Sequence, residues 1–215
     1  MLRNVRVFYR KLGRMKFVSH LDMNRFMSRI INKAKVPVWF TEGFNRHVYL
    51  NFAVPLSLGY EGLYEVMDVK TEDENCDLNG FLTALQKVSV PDIEFFEVSE
   101  AVLKMKEIGF AEFEILFDGV SPEFAEKINL FFERKSIICQ KTTKKGGTKD
   151  IDIAHLIRKF SLEGNKLILV LTAGNENNLN PSLVMSALFT QCETEPIYYS
   201  VTRTMLYDKE LKPFK

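Results

Sequence analysis

The sequence is poor in cysteine and has no long hydrophobic run. Its three cysteines, Cys76, Cys139 and Cys192, lie far apart and form no CxxC pair. This spacing argues against a disulfide framework, a zinc site or an iron–sulfur cluster on closely spaced cysteines, and it fits a reducing compartment. No stretch of about 18 apolar residues occurs, and the first residues are too charged for a secretory signal. We therefore expect a cytoplasmic protein without membrane contact.

Sequence motifs of the common enzyme classes are also missing. The three histidines, His20, His47 and His155, show no HExxH spacing, and no GxSxG, P-loop or GxGxxG segment occurs. These gaps disfavour a zinc hydrolase, a serine hydrolase and a nucleotide-binding enzyme of the usual kinds. Asp150 and Asp152 alternate on a predicted strand, a pattern that is more typical of an exposed strand than of a metal site. We expect no metal or cofactor, and whether the chain is an enzyme at all stays open.

The charges are segregated along the chain although the net charge is only +1. Residues 1–50 carry eleven Lys or Arg and two acidic residues, a net of +9, whereas residues 51–134 carry six against eighteen, a net of −12. A basic segment of this kind indicates polyanion binding by one part of a protein. The alternative is that the basic and acidic segments simply neighbour each other in the fold.

Hydrophobic periodicity predicts an α+β protein. The first half follows the order β-α-β-β-α-β of the ferredoxin-like arrangement. Its predicted elements are a strand at Arg3–Arg10, a helix capped by Ser19 and ended before Pro37, strands at Val38–Thr41 and Leu63–Thr71, a helix at Leu78–Val88 and a strand at Ile93–Val98.

The second half is predicted to repeat the same order, which gives two tandem ferredoxin-like halves that divide near residue 105, at 1–105 and 106–215. A region near residues 154–164 blurs the match between the halves. The predicted elements are a strand at Phe110–Phe117, a helix at Ser121–Phe132, strands at Ser136–Thr142 and Lys149–Ile153, a short helix at Leu156–Phe160, a strand at Leu167–Thr172, a helix at Pro181–Phe189 and a strand at Ile197–Thr202.

The start of the first helix carries one group of candidate binding residues. Ser19 has the position of an N-cap, and Asp22 completes a weak capping box three residues later. His20 could contact a phosphate there, helped by free backbone N–H groups. Arg25 and Arg29 lie on the same predicted helical face as Asp22. Capping alone explains Ser19 and Asp22, so a binding role for His20 competes with a purely structural reading.

A long connection over residues 42–62 holds the second group. Gly43 permits an unusual backbone angle or a close approach of a ligand. Phe44 offers a ring for stacking, and three hydrogen-bonding side chains follow it at Asn45, Arg46 and His47. Aromatic side chains among donors suit RNA bases or a nucleotide. The alternative is a polar loop that its aromatic residues anchor in the core.

A lysine-rich hairpin is predicted at Lys141–Lys149. Its lysines could reach phosphates, each of which would add a salt-dependent increment to binding. We favour the alternative, in which lysines at a solvated tip discourage pairing of strand edges between molecules.

Several spaced motifs resemble the bacterial DUF2344 family, also called the radical SAM-linked or radical SAM-associated protein. The resemblance covers nearly the whole chain, and its specific part lies in residues 11–59. Arg46 stands where the family pattern has a proline, so the loop could be less rigid here and the placement of His47 differ. The similar segments are Lys11-Leu12-Gly13-Arg14, Phe17-Val18-Ser19-His20-Leu21-Asp22, Glu42-Gly43-Phe44-Asn45-Arg46-His47, Phe52-Ala53-Val54-Pro55-Leu56-Ser57-Leu58-Gly59, Lys149-Asp150-Ile151-Asp152-Ile153, Leu179-Asn180-Pro181 and Val201-Thr202-Arg203.

The resemblance implies a partner rather than a reaction. Family members are partners of, or are fused to, B12-binding radical SAM enzymes, and this chain lacks cluster-binding cysteines. A tandem ferredoxin-like build is also similar to CRISPR RNA-processing proteins of the RAMP type, by fold analogy alone. We expect an accessory module that helps a radical SAM enzyme to modify tRNA or rRNA and grips RNA through Arg14, Lys16, His20, Arg25, Arg29, Asn45, Arg46 and His47. The alternatives are a metal-independent ribonuclease with His20 and His47 as acid and base, and a protein-interaction scaffold without RNA contact.

Overall fold

A computed structural model describes residues 2–142, 147–174 and 177–215. Its helices are α1 (His20–Ala34), α2 (Leu78–Val88), α3 (Pro122–Phe132) and α4 (Pro181–Gln191). Its strands are β1 (Arg3–Lys11), β2 (Leu50–Phe52), β3 (Glu61–Thr71), β4 (Ile93–Glu100), β5 (Ile108–Phe117), β6 (Ile138–Thr142), β7 (Thr148–Asp152), β8 (Ile157–Glu163), β9 (Lys166–Thr172) and β10 (Tyr199–Asp208).

Most of the strands belong to one continuous sheet with the order β4-β1-β3-β10-β5-β9-β8. The pairs in this sheet are antiparallel, except that β10 runs parallel to β3 over a short register in which Thr202 faces Glu61 and Arg203 faces Gly62. The short strand β2 pairs with β3 beyond this point, with Phe52 opposite Met67. Strands β6 and β7 form a separate hairpin. The parallel β3–β10 contact therefore joins the strands of the two halves of the chain.

Local sequence signals determine where the helices begin. The Ser19 side chain accepts a hydrogen bond from the Asp22 backbone N–H at 3.2 Å. Ser121 caps α3 in the same way, and Pro122 occupies the first helical turn, where its missing N–H has no intrahelical partner to lose. Asn180 caps α4, again followed by a proline. These N-caps fix the residues at which α1, α3 and α4 begin.

Two hydrophobic clusters stabilise the fold. The smaller one packs the buried face of α1 and α2 against β1, β3 and β4, with Met27, Ile31 and Leu85 fully buried. The larger one is centred on α3, α4 and β5, and it also takes in Phe8 and Tyr64 from the first half of the chain. Because the sheet and this cluster both continue past residue 105, the proposed division into 1–105 and 106–215 stays a prediction.

The mixed α+β class is confirmed, and most predicted elements are present within a few residues of their expected bounds. The strand expected at Val38–Thr41 is wrong: that segment makes one isolated bridge, between Phe40 and Val48, while β2 lies at Leu50–Phe52. The helix expected at Leu156–Phe160 is also wrong, because a short 3-10 turn at Ala154–Leu156 leads directly into β8.

The tip of the predicted lysine hairpin falls largely outside the described residues, since positions 143–146 are not among them. Strands β6 and β7 on either side pair in register, from Ile138 opposite Asp152 to Thr142 opposite Thr148. Over the described ranges, every helix is too short or too polar to cross a bilayer.

Candidate functional site

The turn after β1 is held by a single aspartate. Gly13 has φ +49°, and a Cβ atom there would lie 2.6 Å from the Asp92 carboxylate. Asp92 accepts from the Arg14 N–H at 3.0 Å, and its carbonyl accepts from the Leu12 N–H at 2.8 Å. Glycine at position 13 thus serves both the left-handed backbone and the close approach. The turn directs the exposed side chain of Arg14 to the surface.

The short 3-10 helix that follows, Gly13–Phe17, is tied to the region where β3 begins. Lys16 Nζ lies 3.6 Å from Glu61 Oε1, and the same carboxylate accepts from the Gly13 N–H at 3.1 Å. The Gly59 N–H donates to the Lys16 carbonyl at 2.8 Å. Residues 13–17 are therefore adjacent in space to residues 59–61.

The start of α1 combines capping with exposure. Ser19 and Asp22 form the predicted cap, and the Asp22 carboxylate also lies 3.3 Å from Arg25 Nη1. His20 is exposed, and its ring meets the ring of Phe52 edge-on with the centroids 5.3 Å apart. Arg25 and Arg29 are exposed on the outer side of the helix.

A pocket lies between this helix start and the sheet, and we call it the junction pocket because its lining includes Glu65 of β3, which pairs with Arg203 of β10. It is lined by backbone and side-chain atoms of Tyr9, Lys11, His20, Met23, Phe52, Ala53, Val54, Pro55, Leu56, Glu65 and Val66. Lys11, the last residue of β1, is only 3% exposed and donates from Nζ to the Val18 carbonyl at 3.0 Å. The pocket therefore combines an exposed imidazole with a buried ammonium group.

A buried ion pair lies next to this pocket. Arg203 of β10 donates from Nε to Glu65 Oε1 at 2.9 Å and from Nη2 to Glu65 Oε2 at 2.5 Å. Nη2 also donates to the Val54 carbonyl at 2.7 Å. One guanidinium thus connects β10, β3 and the segment after β2. Bidentate pairing of this kind satisfies charge and geometry together.

The environment shifts two ionisable groups of the pocket. Burial lowers the pKa of Lys11 from its usual value, the negative Glu65 raises it in part, and the positive Arg203 lowers it further. Burial also raises the pKa of Tyr9 well above its usual value, with a further contribution from Glu65. Removal of water disfavours the charged form of both groups.

A second, adjoining pocket lies on the other side of the Val54–Ser57 segment. Asn180, the cap of α4, donates from Nδ2 to Ser57 Oγ at 2.7 Å and accepts from the Tyr60 hydroxyl at 3.2 Å. These bonds join the second half of the chain to the loop after β2. The motif segment 52–59 therefore separates two pockets at the junction of the halves.

The loop at residues 42–47 is fully exposed and is closed by its ends. The Thr41 N–H donates to the His47 carbonyl at 2.8 Å, and the His47 N–H donates to Thr41 Oγ1 at 3.2 Å. His47 Nδ1 lies 2.9 Å from the Asn45 carbonyl. Gly43 adopts φ +113° and Phe44 projects entirely into solvent. Phe44 is thus free to stack, contrary to the alternative in which it anchors the loop in the core.

Tyr49 does anchor the segment that follows this loop. Its ring lies 6.2 Å from that of Trp39, and Lys70 Nζ is 4.3 Å from the Tyr49 centroid and 5.4 Å from that of Trp39. The Trp39 N–H donates to the Lys70 carbonyl at 2.7 Å. The loop therefore emerges from a firm base of packed rings and a cation.

One group of the predicted site residues lies on the turn after β1 and on the first turns of α1, namely Arg14, Lys16, Ser19, His20, Asp22 and Arg25, and of these His20 lines the junction pocket. Gly43, Phe44, Asn45, Arg46 and His47 form a separate loop: the ring of His20 packs on Phe52, whereas His47 bonds within its own loop. Sequence reasoning missed Lys11, Glu65 and Arg203. The available signal was their place in or beside motif segments and within apolar strands.

The family match covers residues 4–181, and that family is described as an uncharacterized protein conserved in bacteria. The chain belongs to the DUF2344 family. No curated protein matches this DUF2344 chain. Across the described residues, no group of three or more His, Cys, Asp or Glu side chains is arranged to hold a metal ion.

Two solved structures show distant similarity to this DUF2344 protein. One chain of "Crystal Structure of a Cbf5-Nop10-Gar1 Complex" has 11% identity and a TM-score of 0.45, with 94% of this chain and 48% of that chain covered. This protein thus spans about half the length of that chain. "Crystal Structure of an Unknown Protein from Galdieria sulphuraria" has 9% identity and a TM-score of 0.29, with 94% and 99% covered. At these TM-scores neither similarity carries an argument.

Proposed function

We propose that this DUF2344 protein is an accessory RNA-binding module that acts with a radical SAM enzyme of the B12-binding type in the modification of tRNA or rRNA. The observation that carries the proposal is the exposed basic surface of the first half. It consists of Arg14 in the turn after β1 and the outer residues of α1 and its C-cap, Arg25, Arg29, Lys33 and Lys35. Basic side chains on one helix suit contacts with successive phosphates.

The loop at residues 42–47 would add contacts to bases. Phe44 is a free aromatic ring, and Arg46 beside it is exposed. A ring of this kind stacks on an unpaired base without regard to its identity. Base stacking by the loop and phosphate contacts by α1 together describe binding to a folded RNA with single-stranded parts.

The proposal includes two tandem ferredoxin-like halves of RAMP type. The strand order supports this part of the proposal. In the first half the order is β4-β1-β3, followed by β2, which pairs with β3. In the second half the order β10-β5-β9-β8 repeats it, with β10, β5, β9 and β8 in the places of β4, β1, β3 and β2. In this description β8 occupies the edge position of the second half, and the β6–β7 hairpin is an insertion between α3 and β8.

The proposal of a radical SAM partner rests on the family resemblance and on the acidic stretch after residue 50. Glu72, Asp73 and Asp77 form an exposed acidic group at the end of β3 and before α2. We place the partner on acidic surfaces such as this one and the RNA on the basic surface. The alternative of a ribonuclease with His20 and His47 as a pair draws little support from their contacts, because they have different neighbours and share no described hydrogen bond.

Binding of bulk tRNA and of rRNA fragments across a salt series tests the proposal. We expect Arg25→Ala/Arg29→Ala to weaken binding and to flatten its dependence on salt, since each lost phosphate contact removes counterion release. Lys104→Ala/Lys106→Ala removes two exposed lysines from the acidic part of the chain and is the matched control. Absence of RNA binding by the unaltered protein at low salt would leave the scaffold alternative. RNA cleavage during the assay would favour the nuclease.

A further inference from the structure

The buried charges of the described residues do not balance. Three cations, Arg6, Lys11 and Arg203, are buried, against two carboxylates, Glu65 and Asp68. Arg6 takes both oxygens of Asp68 at 2.8 and 2.9 Å, and Arg203 takes both oxygens of Glu65. Each arginine therefore has its own carboxylate, and Lys11 has none within salt-bridge distance.

A buried ammonium without a counterion is costly to keep. It has three N–H donors, and the described bond to the Val18 carbonyl uses one of them. Such a group either loses its proton or finds an anion. Burial lowers the pKa of Lys11, so the charged form is disfavoured at this position. An anion from outside would supply the missing partner.

The pocket gives an anion a way to reach this ammonium group. Lys11, which is buried, and His20, which is exposed at the first turn of α1, both line it. The Tyr9 side chain belongs to the same lining and keeps its proton because its pKa is raised, so its hydroxyl remains a donor. Glu65 belongs to the same lining and raises the pKa of Lys11 in part, but both its oxygens accept from Arg203, whose positive charge acts on Lys11 in the opposite direction.

We propose that the junction pocket is a phosphate-binding site in which Lys11 and His20 hold a terminal phosphate of the RNA. This inference rests on the proposed function for the identity of the ligand. A terminal phosphate fits better than an internal one, because Lys11 is nearly fully buried and an internal phosphodiester would bring a nucleotide on each side into the opening. The exposed Arg14 and Arg25 follow Lys11 and His20 closely in the chain and suit the next phosphates of the strand.

Titration with inorganic phosphate, followed by calorimetry or by phosphorus NMR, tests the pocket itself. We expect Lys11→Met to lower phosphate affinity at least about tenfold, the effect of losing a charge-assisted contact. Lys87→Met, an exposed lysine of α2, is the control and should bind as the unaltered protein does. His20→Gln changes only an exposed side chain, so it provides a second readout in case Lys11→Met does not fold. Equal phosphate affinity in the lysine variant, or no binding at millimolar phosphate, would overturn the site.

Short RNAs of one sequence, with and without a 5′ or 3′ phosphate, then identify the source of the phosphate. Tighter binding of a phosphorylated RNA that disappears in Lys11→Met supports the proposal. Binding of inorganic phosphate without any preference for an RNA end overturns the RNA assignment and leaves a small phosphorylated molecule as ligand. If Lys11→Met binds RNA as tightly as the unaltered protein does, with or without a phosphate at the RNA end, the inference is overturned while the proposed function stands.

Discussion

Arg203 and Glu65, 138 residues apart in the chain, form a two-bond ion pair across the parallel β3–β10 contact. Gly62 lies beside this pair, and a Cβ atom there would lie 2.3 Å from Glu65 Oε1. The pair therefore requires a glycine at position 62 as well as its own two charges. Its position next to the junction pocket links the stability of the sheet to the shape of the site.

We predict that Arg203→Met lowers the free energy of unfolding by about 3–5 kcal/mol, because Glu65 would remain buried without its partner. The double variant Arg203→Met/Glu65→Gln should lose less, since it leaves no buried carboxylate without its arginine. Urea unfolding measures both. Arg10→Met breaks the exposed pair with Glu94 and is the control, with an expected cost below about 1 kcal/mol. A similar cost for all three variants would contradict the prediction.

Replacement of Lys11 is predicted to stabilise the protein in a pH-dependent manner. The folded state lowers the pKa of Lys11, so between that pKa and about 10.4 the unfolded chain binds more protons and the unaltered protein gains stability as the pH rises. The advantage of Lys11→Met should therefore be greatest at low and neutral pH and shrink toward pH 10.

Paired urea titrations of the unaltered protein and Lys11→Met from pH 7 to about pH 10 measure this difference. Over this pH range, the difference in the free energy of unfolding between the two proteins should shrink by about 1.4 kcal/mol for each pH unit by which folding lowers the pKa of Lys11. Glu65 and Arg203, the charges nearest to Lys11, are unchanged in both proteins. A difference that does not vary with pH would show that Lys11 keeps its proton when buried.

The C-terminal residues are predicted to depend on one tyrosine. The Tyr64 hydroxyl donates to the Phe214 carbonyl at 3.0 Å, and burial, helped by Glu97, raises the pKa of Tyr64 to about 12. Tyr64→Phe should lower the free energy of unfolding by about 1 kcal/mol and speed digestion of the C-terminus by carboxypeptidase. Tyr198→Phe, at an exposed position, is the control. Unchanged digestion would mean that the Phe214 ring, under the Arg6 guanidinium, suffices to hold the C-terminus.

Truncation of the aromatic side chain at the tip of the exposed loop separates binding from folding. Phe44→Ala removes a fully exposed ring, so the midpoint of thermal unfolding should not change. RNA affinity should fall by about 1–3 kcal/mol if the ring stacks on a base. Phe17→Ala, another exposed phenylalanine, is the matched control. Equal affinity of the Phe44 variant and the unaltered protein would remove the loop from the RNA surface.

Local signals were enough to predict most helices and strands. The helix at Leu78–Val88 has the predicted bounds, Ser19 caps α1 as predicted, and the helix predicted at Ser121–Phe132 lies at Pro122–Phe132 with Ser121 as its cap. These features depend on neighbours within one turn, which a sequence displays directly.

The wrong or missing predictions arise where contacts between segments that are distant in sequence determine the structure. Residues 38–41 and 50–52 are both short and apolar, and only the register on β3 selects the second as a strand. Lys11 lies one residue beyond the strand predicted at Arg3–Arg10, but it is the last residue of β1, where it is buried and donates to the Val18 carbonyl. The pairing of Arg203 with Glu65 follows from the parallel β3–β10 contact, which no local pattern indicates.

Strand β3 shares one of its edges between two neighbours, with β2 along Met67–Val69 and β10 at Glu61 and Gly62. A fragment that ended near residue 105 would leave the β10 part of this edge bare, and it would uncover Tyr64 and Val66, which now pack into the larger cluster. Bare strand edges beside apolar surface invite aggregation. We therefore expect the two halves to melt as one cooperative unit, and attempts to express either half alone to yield insoluble material.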